Sequence, residues 1–574
     1  MAATLSGKPI PILSRGYSMN KNVRKTNIIV ATVISEILKT MLGPKGMSKM
    51  LVTDTGDVLI TANGKAMLER LNVSHPIARV LIEVAKTQDK NCGDGTKTAV
   101  ILAGELLKES GKLLDQGIHP AFIIKGYIEA VDKAMKILDK LAISISADNE
   151  VALKKVAKTV IGGYLGENEQ NHVADLIVTA VKWIAAESTE HASMDIDNVG
   201  FVRKIGGGVN DSKLIRGVII NRGKPHPEMP EKITDAKIAL LECSLNPFMR
   251  KSGDWSKEYI IKEKEQLTAF IKKENELNNE VVERIKRTGA KVLFCRKRIS
   301  ESLINCFAKK GILAFELVSE KDMTRLARAT EGKIVSCVSD LTESNLGVSD
   351  LVEFQKIAGD EMLFVERYKN PKAATLLLRG GTTHTIEELE RAVKNGIKAV
   401  ALVAKNGKIL PGGGATEMEI SKELRKISRT FKGKEQLAVE AFATAIEAIP
   451  KTIASSAGLN PHDSLMELRV GHTNGSMYLG VNAVKRRIED VTKDGLFDVF
   501  DAKRHAIRIA VEIATMILRI DDAVFVTNLE EIMEREKSKI KERKRVSDEK
   551  IRRLLEKDEE LRKIGKRLTL PKSS

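Results

Sequence analysis

A multidomain α/β protein is predicted, with mostly helical parts at both chain ends and alternating short strands and helices between them. Three observations predict it. The chain has 574 residues, too many for one hydrophobic core, so several domains are expected. Helical apolar spacing dominates both ends, whereas the middle holds short β-rich runs at regular intervals. Glycine clusters fall in the two helical ends, at 40–51, 91–98 and 409–420.

Taken in order, residues 20–43 ("NKNVRKTNIIVATVISEILKTMLG") place apolar side chains at helical spacing and stop at Gly43-Pro44, a typical helix end. Residues 75–142 continue mostly helical. The middle is marked by "AKIALLECSL", "AKVLFCRK", "GILAFELV", "GKIVSCV" and "AATLLLRGG", separated by helical segments as α/β layers require. Helices return from "THTIEELERAVKNGIKAVALVA" to "HAIRIAVEIATMILRIDDAV". The charged tail after Asn528 reads as a solvated or loosely paired helix, because its apolar positions (Ile532, Ile540, Ile551, Leu555, Leu561) are sparse.

Composition excludes several function classes. With 43% hydrophobic and 30% charged residues the chain reads as globular, and no run of roughly 18 apolar residues suggests a membrane span. The N-terminus lacks the apolar region of a secretory signal, so a cytoplasmic location is expected. Cys92, Cys243, Cys295, Cys306 and Cys337 form no C-x-x-C pair and have no histidine at ligand spacing, which argues against zinc and for buried thiols. The net charge is +17, of which the tail after Asn528 supplies +5, so the excess is spread along the chain. Aromatics are only 4%, which gives base stacking little support, and nucleic acid is not an expected partner.

The stretch "NCGDGTKTAVILAGELL" (91–107) sets two glycines around a carboxylate and two hydroxyls around a lysine, before an apolar helix-like run. Glycines let a backbone approach an anion, successive N–H groups form a nest, and a following helix adds its positive dipole end. The common P-loop pattern is absent from the chain. Alone, each glycine cluster reads more readily as a tight turn. If all three surround one ligand, the helical ends form a single domain and the middle is an insertion.

"TMLGPKGMSKML", "VAKTQDKNCGDGTKTAVILAGELL", "GIHPAFIIKGY", "LLLRGGTTHTIEELERA", "PGGGATEMEI" and "ATMILRIDD" occur in that order between about residues 20 and 525. Together they resemble a group II chaperonin, the thermosome family, and within it the gamma-type archaeal subunit. The resemblance implies an equatorial ATP-binding domain from both chain ends (1–148 and 403–527), an intermediate hinge domain (149–217 and 367–402), and an apical domain (218–366). The apical domain is expected to carry a lid protrusion at about 246–280, with Trp255, Tyr259 and Ile260 as a gripping edge for non-native chains; residues 528–574 form an extension. It also implies a hetero-oligomeric double ring of homologous subunits, eight or nine per ring, that encloses unfolded protein clients.

For the site, the resemblance implies that Leu42, Gly43 and Pro44 lie against ATP or ADP, and that Gly93, Asp94, Gly95, Thr96, Lys97 and Thr98 cradle the phosphates. Asp94 matches the Mg²⁺ ligand, as suits a carboxylate in a nest of N–H donors. Gly412, Gly413 and Gly414 match the loop near the nucleoside, and Asp498 matches an acidic residue near the ribose.

Four positions depart from the family pattern. Asn63 in "LITANGKAML" and Asn395 in "LERAVKNGIKAV" stand where aspartates that manage the attacking water are expected. The exchange keeps the shape but removes the charge and the ability to take a proton. Lys65 replaces a small residue, and Lys97 interrupts a run of threonines. The expectation is therefore a subunit that binds nucleotide with a reduced need for Mg²⁺ and hydrolyses ATP slowly or not at all. The alternative reading is an architectural, non-hydrolysing ring or filament subunit. Asp89, as a shifted base, is the remaining way to restore hydrolysis.

Overall fold

A computed structural model describes residues 23–185, 199–245, 264–367 and 373–522, apart from loop positions 53–55, 57, 72, 74 and 432, and the short strands Thr4–Leu5 and Lys8–Pro9. The gripping-edge residues Trp255, Tyr259 and Ile260, the first part of the protrusion and the extension at 528–574 lie outside the described residues. The chain divides into two compact units, Lys25–Arg519 and a smaller one of Met1–Arg24 with Ile520–Ser574. In the smaller unit the two strands pair antiparallel, Thr4 opposite Pro9. Its Arg24 donates to the Ile520 carbonyl at 3.2 Å and to Asp521 at 3.0 Å.

In the larger unit, helices from early and late in the chain share one core. The helix Thr96–Asp115 is buried on nearly every side from Ala99 to Leu107, as an element apolar all round must be. It packs against Phe500–Leu518, which also lies on Pro76–Cys92, and against Glu435–Ile446. Tyr127, on Pro120–Leu141, meets Phe442 edge to face at 5.9 Å and donates its hydroxyl to the Leu106 carbonyl at 2.8 Å. A three-stranded sheet adds to this joining of chain ends: Lys408–Pro411 lies between Phe497–Val499 and Ile143–Ser144, and pairs Leu410 with Asp498.

The middle of the chain forms two further sheets. One runs in the order Leu313–Phe315, Val292–Cys295, Lys232–Leu241, Gly347–Ile357, Asp360–Glu366, Gly217–Ile220, with Ile334–Val335 pairing the free end of Lys232–Leu241. Its parallel strands are buried on both faces, which is why they read as continuous apolar runs. The antiparallel hairpin Gly347–Ile357 with Asp360–Glu366 is absent from the sequence reading. Its strands carry charges on a half-exposed face, and its turn is Ala358-Gly359, at φ 50° and 89°, without the usual Asn-Gly or Asp-Gly signal. The other sheet, Val199–Ile205, Ala374–Gly380 and Lys213–Ile215, is covered by Glu150–Ile161, Glu167–Ala185 and Thr383–Asn406 through a shared apolar cluster. The described part of the expected protrusion is the helix Lys264–Arg287.

Candidate phosphate-binding cavity

The Gly-Asp-Gly stretch is the hinge between two helices. Gly93, at φ 71°, caps Pro76–Cys92 by donating its N–H to the Asp89 carbonyl at 3.0 Å. Gly95, at φ 77°, begins Thr96–Asp115, and no side chain caps that helix start. Its first amides are therefore left for an anion. The fully buried Gln88 clamps the hinge, donating to the Asp94 carbonyl at 2.7 Å and to the Ala502 carbonyl at 2.9 Å.

This hinge opens on a cavity of about 540 Å³, within the usual range for small-molecule sites. Leu42, Gly43, Pro44, Gly93, Asp94, Gly95, Thr96, Lys97, Thr98, Gly413 and Asp498 all line it, and so do Asn63 and Asn395. Gly412 and Gly414 do not. Gly412 is taken up by the sheet edge, donating to the Leu496 carbonyl at 2.9 Å, and Gly414 starts the helix Ala415–Ser428 at φ 80°. A Cβ on Gly414 would stand 2.5 Å from Pro450 Cβ and 2.8 Å from its Cα. Gly414→Ala is expected to lower stability by about 1–3 kcal/mol through overpacking, plus about 1–2 kcal/mol for a left-handed non-glycine residue, read from a denaturant midpoint.

The electrostatics favour a polyphosphate with a cation. Burial pushes the Asp94 carboxyl above its ordinary value and the charge of Asp498 adds to this, while the Gly95 amide, Lys503 and Lys97 oppose it. Asp498 is held by Lys503 at 2.7 Å, and the same ammonium reaches Glu417 at 2.5 Å. Burial opposes the charge on Lys503, yet these two carboxylates hold its pKa well above the usual value. Asp494 is paired with Lys485. Among the described residues two lining carboxylates, Asp94 and the exposed Glu167, have no ion-pair partner within 4 Å, and of these Asp94 lies at the glycine hinge beside the free helix amides, where it has capacity for a metal ion. The residues present thus fit a nucleotide with Mg²⁺: amides and lysines for phosphate, Asp94 for the ion.

Lys65 does not line the cavity. Its ammonium pairs with Asp89 at 2.9 Å, outside the cavity lining, and Lys398 donates to the Asp89 carbonyl at 2.9 Å. Of the two lysines only Lys97 lines the cavity, and the Asp89 carboxylate is engaged by Lys65. Lys97 bends back to donate to the Met41 carbonyl at 2.8 Å and to the Ala62 carbonyl at 3.3 Å. Gly64 makes room for its stem, since a Cβ there would meet Lys97 Cγ at 2.7 Å. Burial pulls the Lys97 pKa down to about 8, with Asp94 and Glu388 acting against that fall.

Asn63 accepts from the Ala66 amide at 2.9 Å as the cap of Gly64–Arg70, and its side chain also meets the buried Tyr164 hydroxyl. Asn395 faces the cavity from Thr383–Asn406. Neither side chain can accept a proton from water at neutral pH.

Residues 34–528 match the TCP-1/cpn60 chaperonin family. The chain belongs to that family, as a group II chaperonin subunit. It is 44% identical over 537 residues to a thermosome subunit of Pyrococcus abyssi, covering 93% of this chain and 97% of the relative. A Methanopyrus kandleri thermosome subunit is 44% identical over 520 residues, 90% and 95% of the two chains. The alpha and beta thermosome subunits of Archaeoglobus fulgidus are each 42% identical over 530 residues, 92% and 97%. Among the described residues of this chaperonin subunit, no helix is long and apolar enough to cross a membrane.

Several lining residues of the chaperonin cavity were not singled out by motif: Lys45, Lys155, Lys158, Tyr164, Asn482 and Lys503. Lys155 and Lys158 come from Glu150–Ile161, whose lysines look like any solvated helix face. Lys503 carried a weak signal, lying five residues beyond Asp498 in the first turn of Phe500–Leu518.

Proposed function

We propose that this chaperonin subunit binds ATP or ADP in the cavity, with Mg²⁺ on Asp94, and hydrolyses ATP slowly or not at all. The carrying observation is that Asn63 and Asn395 both line the cavity that Asp94 serves, so the lining offers neither expected general base. Lys97 supplies a positive charge there below its lowered pKa of about 8, which supports a reduced need for the metal. In this reading the equatorial part, 1–148 with 403–527, holds the nucleotide, and the intermediate parts, 149–217 and 367–402, couple it to the apical part, 218–366. The subunit assembles with hydrolysing homologues in a cytoplasmic double ring that takes unfolded protein clients. A slow member is tolerated because the others drive the shared conformational change through coupled interfaces. The paired alpha and beta subunits of Archaeoglobus fulgidus are a precedent for more than one subunit type.

Titration of the full chain with a fluorescent ADP analogue, with and without Mg²⁺, tests the reading. Saturable binding is expected, with its metal-dependent part lost in Asp94→Ala. Single-turnover hydrolysis is expected to be about 10²-fold or more below that of a thermosome subunit carrying both aspartates. Absence of binding, or an ordinary hydrolysis rate abolished by Asp94→Ala, overturns it.

A further inference from the structure

Three of the five cysteines gather at the carboxyl end of the parallel strands in the seven-stranded sheet, far in sequence from the cavity. Lys232–Leu241 is flanked there by two parallel neighbours, with Cys295 opposite Leu241 on one side and Val335 opposite Leu241 on the other. The pairing with Ile334–Val335 extends through the Glu242 amide, which donates to the Val335 carbonyl at 2.9 Å. Two residues further along each chain stand Cys243 and Cys337. Both lie just past the last ladder bond, and their thiols are close enough for Cys337 to act on the Cys243 thiol through space. Both sulfurs also lie within reach of one donor, the Val338 amide.

The two thiols are unlike. Cys337 is exposed, and the Ser339 hydroxyl lies 3.0 Å from its sulfur and 3.0 Å from the Asp340 carboxylate, able to donate to either. The Ser339 hydroxyl and amide together hold the Cys337 thiol below its ordinary value, so more of it is thiolate, the reactive form. Burial pushes Cys243 up, and drives the buried Cys92 and Cys295 to about 12. Cys295 is further engaged, donating to the Cys243 carbonyl at 2.9 Å. An exposed thiol with a lowered pKa beside a half-buried second thiol is the arrangement of a sensing and a resolving cysteine.

We propose that Cys337 and Cys243 form a reversible redox pair, Cys337 reacting with a peroxide and Cys243 resolving the product to an intramolecular disulfide. In the first step the Cys337 thiolate attacks one peroxide oxygen; the O–O bond breaks, sulfur is oxidised to sulfenic acid and hydroxide leaves. In the second, Cys243 sulfur attacks Cys337 sulfur; the S–O bond breaks, and the departing hydroxide takes the Cys243 proton as water. A dithiol restores both thiols by exchange. The bond ties the turn Val338–Asp340 to the chain just before residue 246. That turn already receives Arg284 from Lys264–Arg287, which donates to the Ser339 carbonyl at 2.9 Å, so the cross-link joins three segments at one point.

The test uses the full chain. Brief iodoacetamide labelling at neutral pH is expected to modify Cys337 about tenfold faster than Cys243. Hydrogen peroxide followed by non-reducing peptide mapping is expected to yield a Cys243–Cys337 cross-linked peptide that a dithiol removes. In Cys243→Ser, dimedone traps a sulfenic acid at Cys337; in Cys337→Ser no cross-link forms. A map of wild-type protein showing Cys337 joined only between chains, Cys243 joined to Cys295, or Cys337 oxidised with no internal bond overturns the proposal, and that result needs no variant to fold.

Discussion

The double variant Asn63→Asp with Asn395→Asp is expected to hydrolyse ATP about 10²- to 10⁴-fold faster than wild type in single turnover, the usual contribution of positioned general bases. The fold accepts both changes. Asn63 uses its side-chain oxygen to cap Gly64–Arg70 through the Ala66 amide, and a carboxylate accepts that bond equally well. The Lys97 ammonium reaches the Ala62 carbonyl, one residue away, so a nearby positive charge favours the ionised form of an aspartate at 63. Asn395 lines the cavity, and its side chain has no hydrogen-bond partner among the described residues. Each single variant is expected to give only part of the gain, because groups that act on one water are not additive. A double variant that binds nucleotide with unchanged affinity yet hydrolyses no faster than wild type would show that something other than these amides limits the reaction.

Lys97→Met is expected to weaken nucleotide binding without Mg²⁺ by about 1.5–3 kcal/mol, the range for hydrogen bonds to a charged group, which is roughly 10- to 100-fold. A pH signature separates this from a loss of fold. Lys97 has a pKa near 8, so above that pH the free protein is largely neutral at this site. Phosphate charges stabilise the ammonium, so binding at about pH 8.5–9 takes up a proton. Calorimetry in two buffers of different ionisation enthalpy reads that uptake directly, and Lys97→Met abolishes it. Stability carries the opposite sign. The folded-state pKa lies below the unfolded value of about 10.4, so between the two the unfolded chain binds more protons and stability rises with pH. Tight binding with no proton uptake in wild type would mean that Lys97 serves only the Met41 and Ala62 carbonyls.

Much of the fold is legible in the residues, because local rules and tertiary burial agree there. The helix Thr96–Asp115 is apolar on nearly every side from Ala99 to Leu107 and becomes the centre of the helical core; the runs around Ile238, Val292 and Leu313 are apolar throughout and become two-face-buried parallel strands. Legibility fails where a strand is half-exposed and its turn lacks a signal, as at Gly347–Ile357, Ala358-Gly359 and Asp360–Glu366. It fails also for lysines, because one side chain serves equally as a solvated charge, an ion-pair partner or a cavity wall. Lys65 and Lys97 look alike in the chain, yet one pairs with Asp89 and the other lines the cavity.

By itself the sequence determined the family and the helical, α/β, helical order, and it raised the expectation that the residue types at 63, 65, 97 and 395 depart from the family pattern. These are properties of local spacing and identity, and they survive without coordinates. Only the tertiary structure decided that loops some 400 residues apart in the chain wall one cavity, that Gly412 and Gly414 stand behind it, and that Cys243 and Cys337 are neighbours. The physical reason is that long flexible side chains and distant loops have no preferred direction until core packing and strand register hold their backbones in place. Register in particular sets which atoms meet across a sheet, and no single strand encodes its partner's register alone.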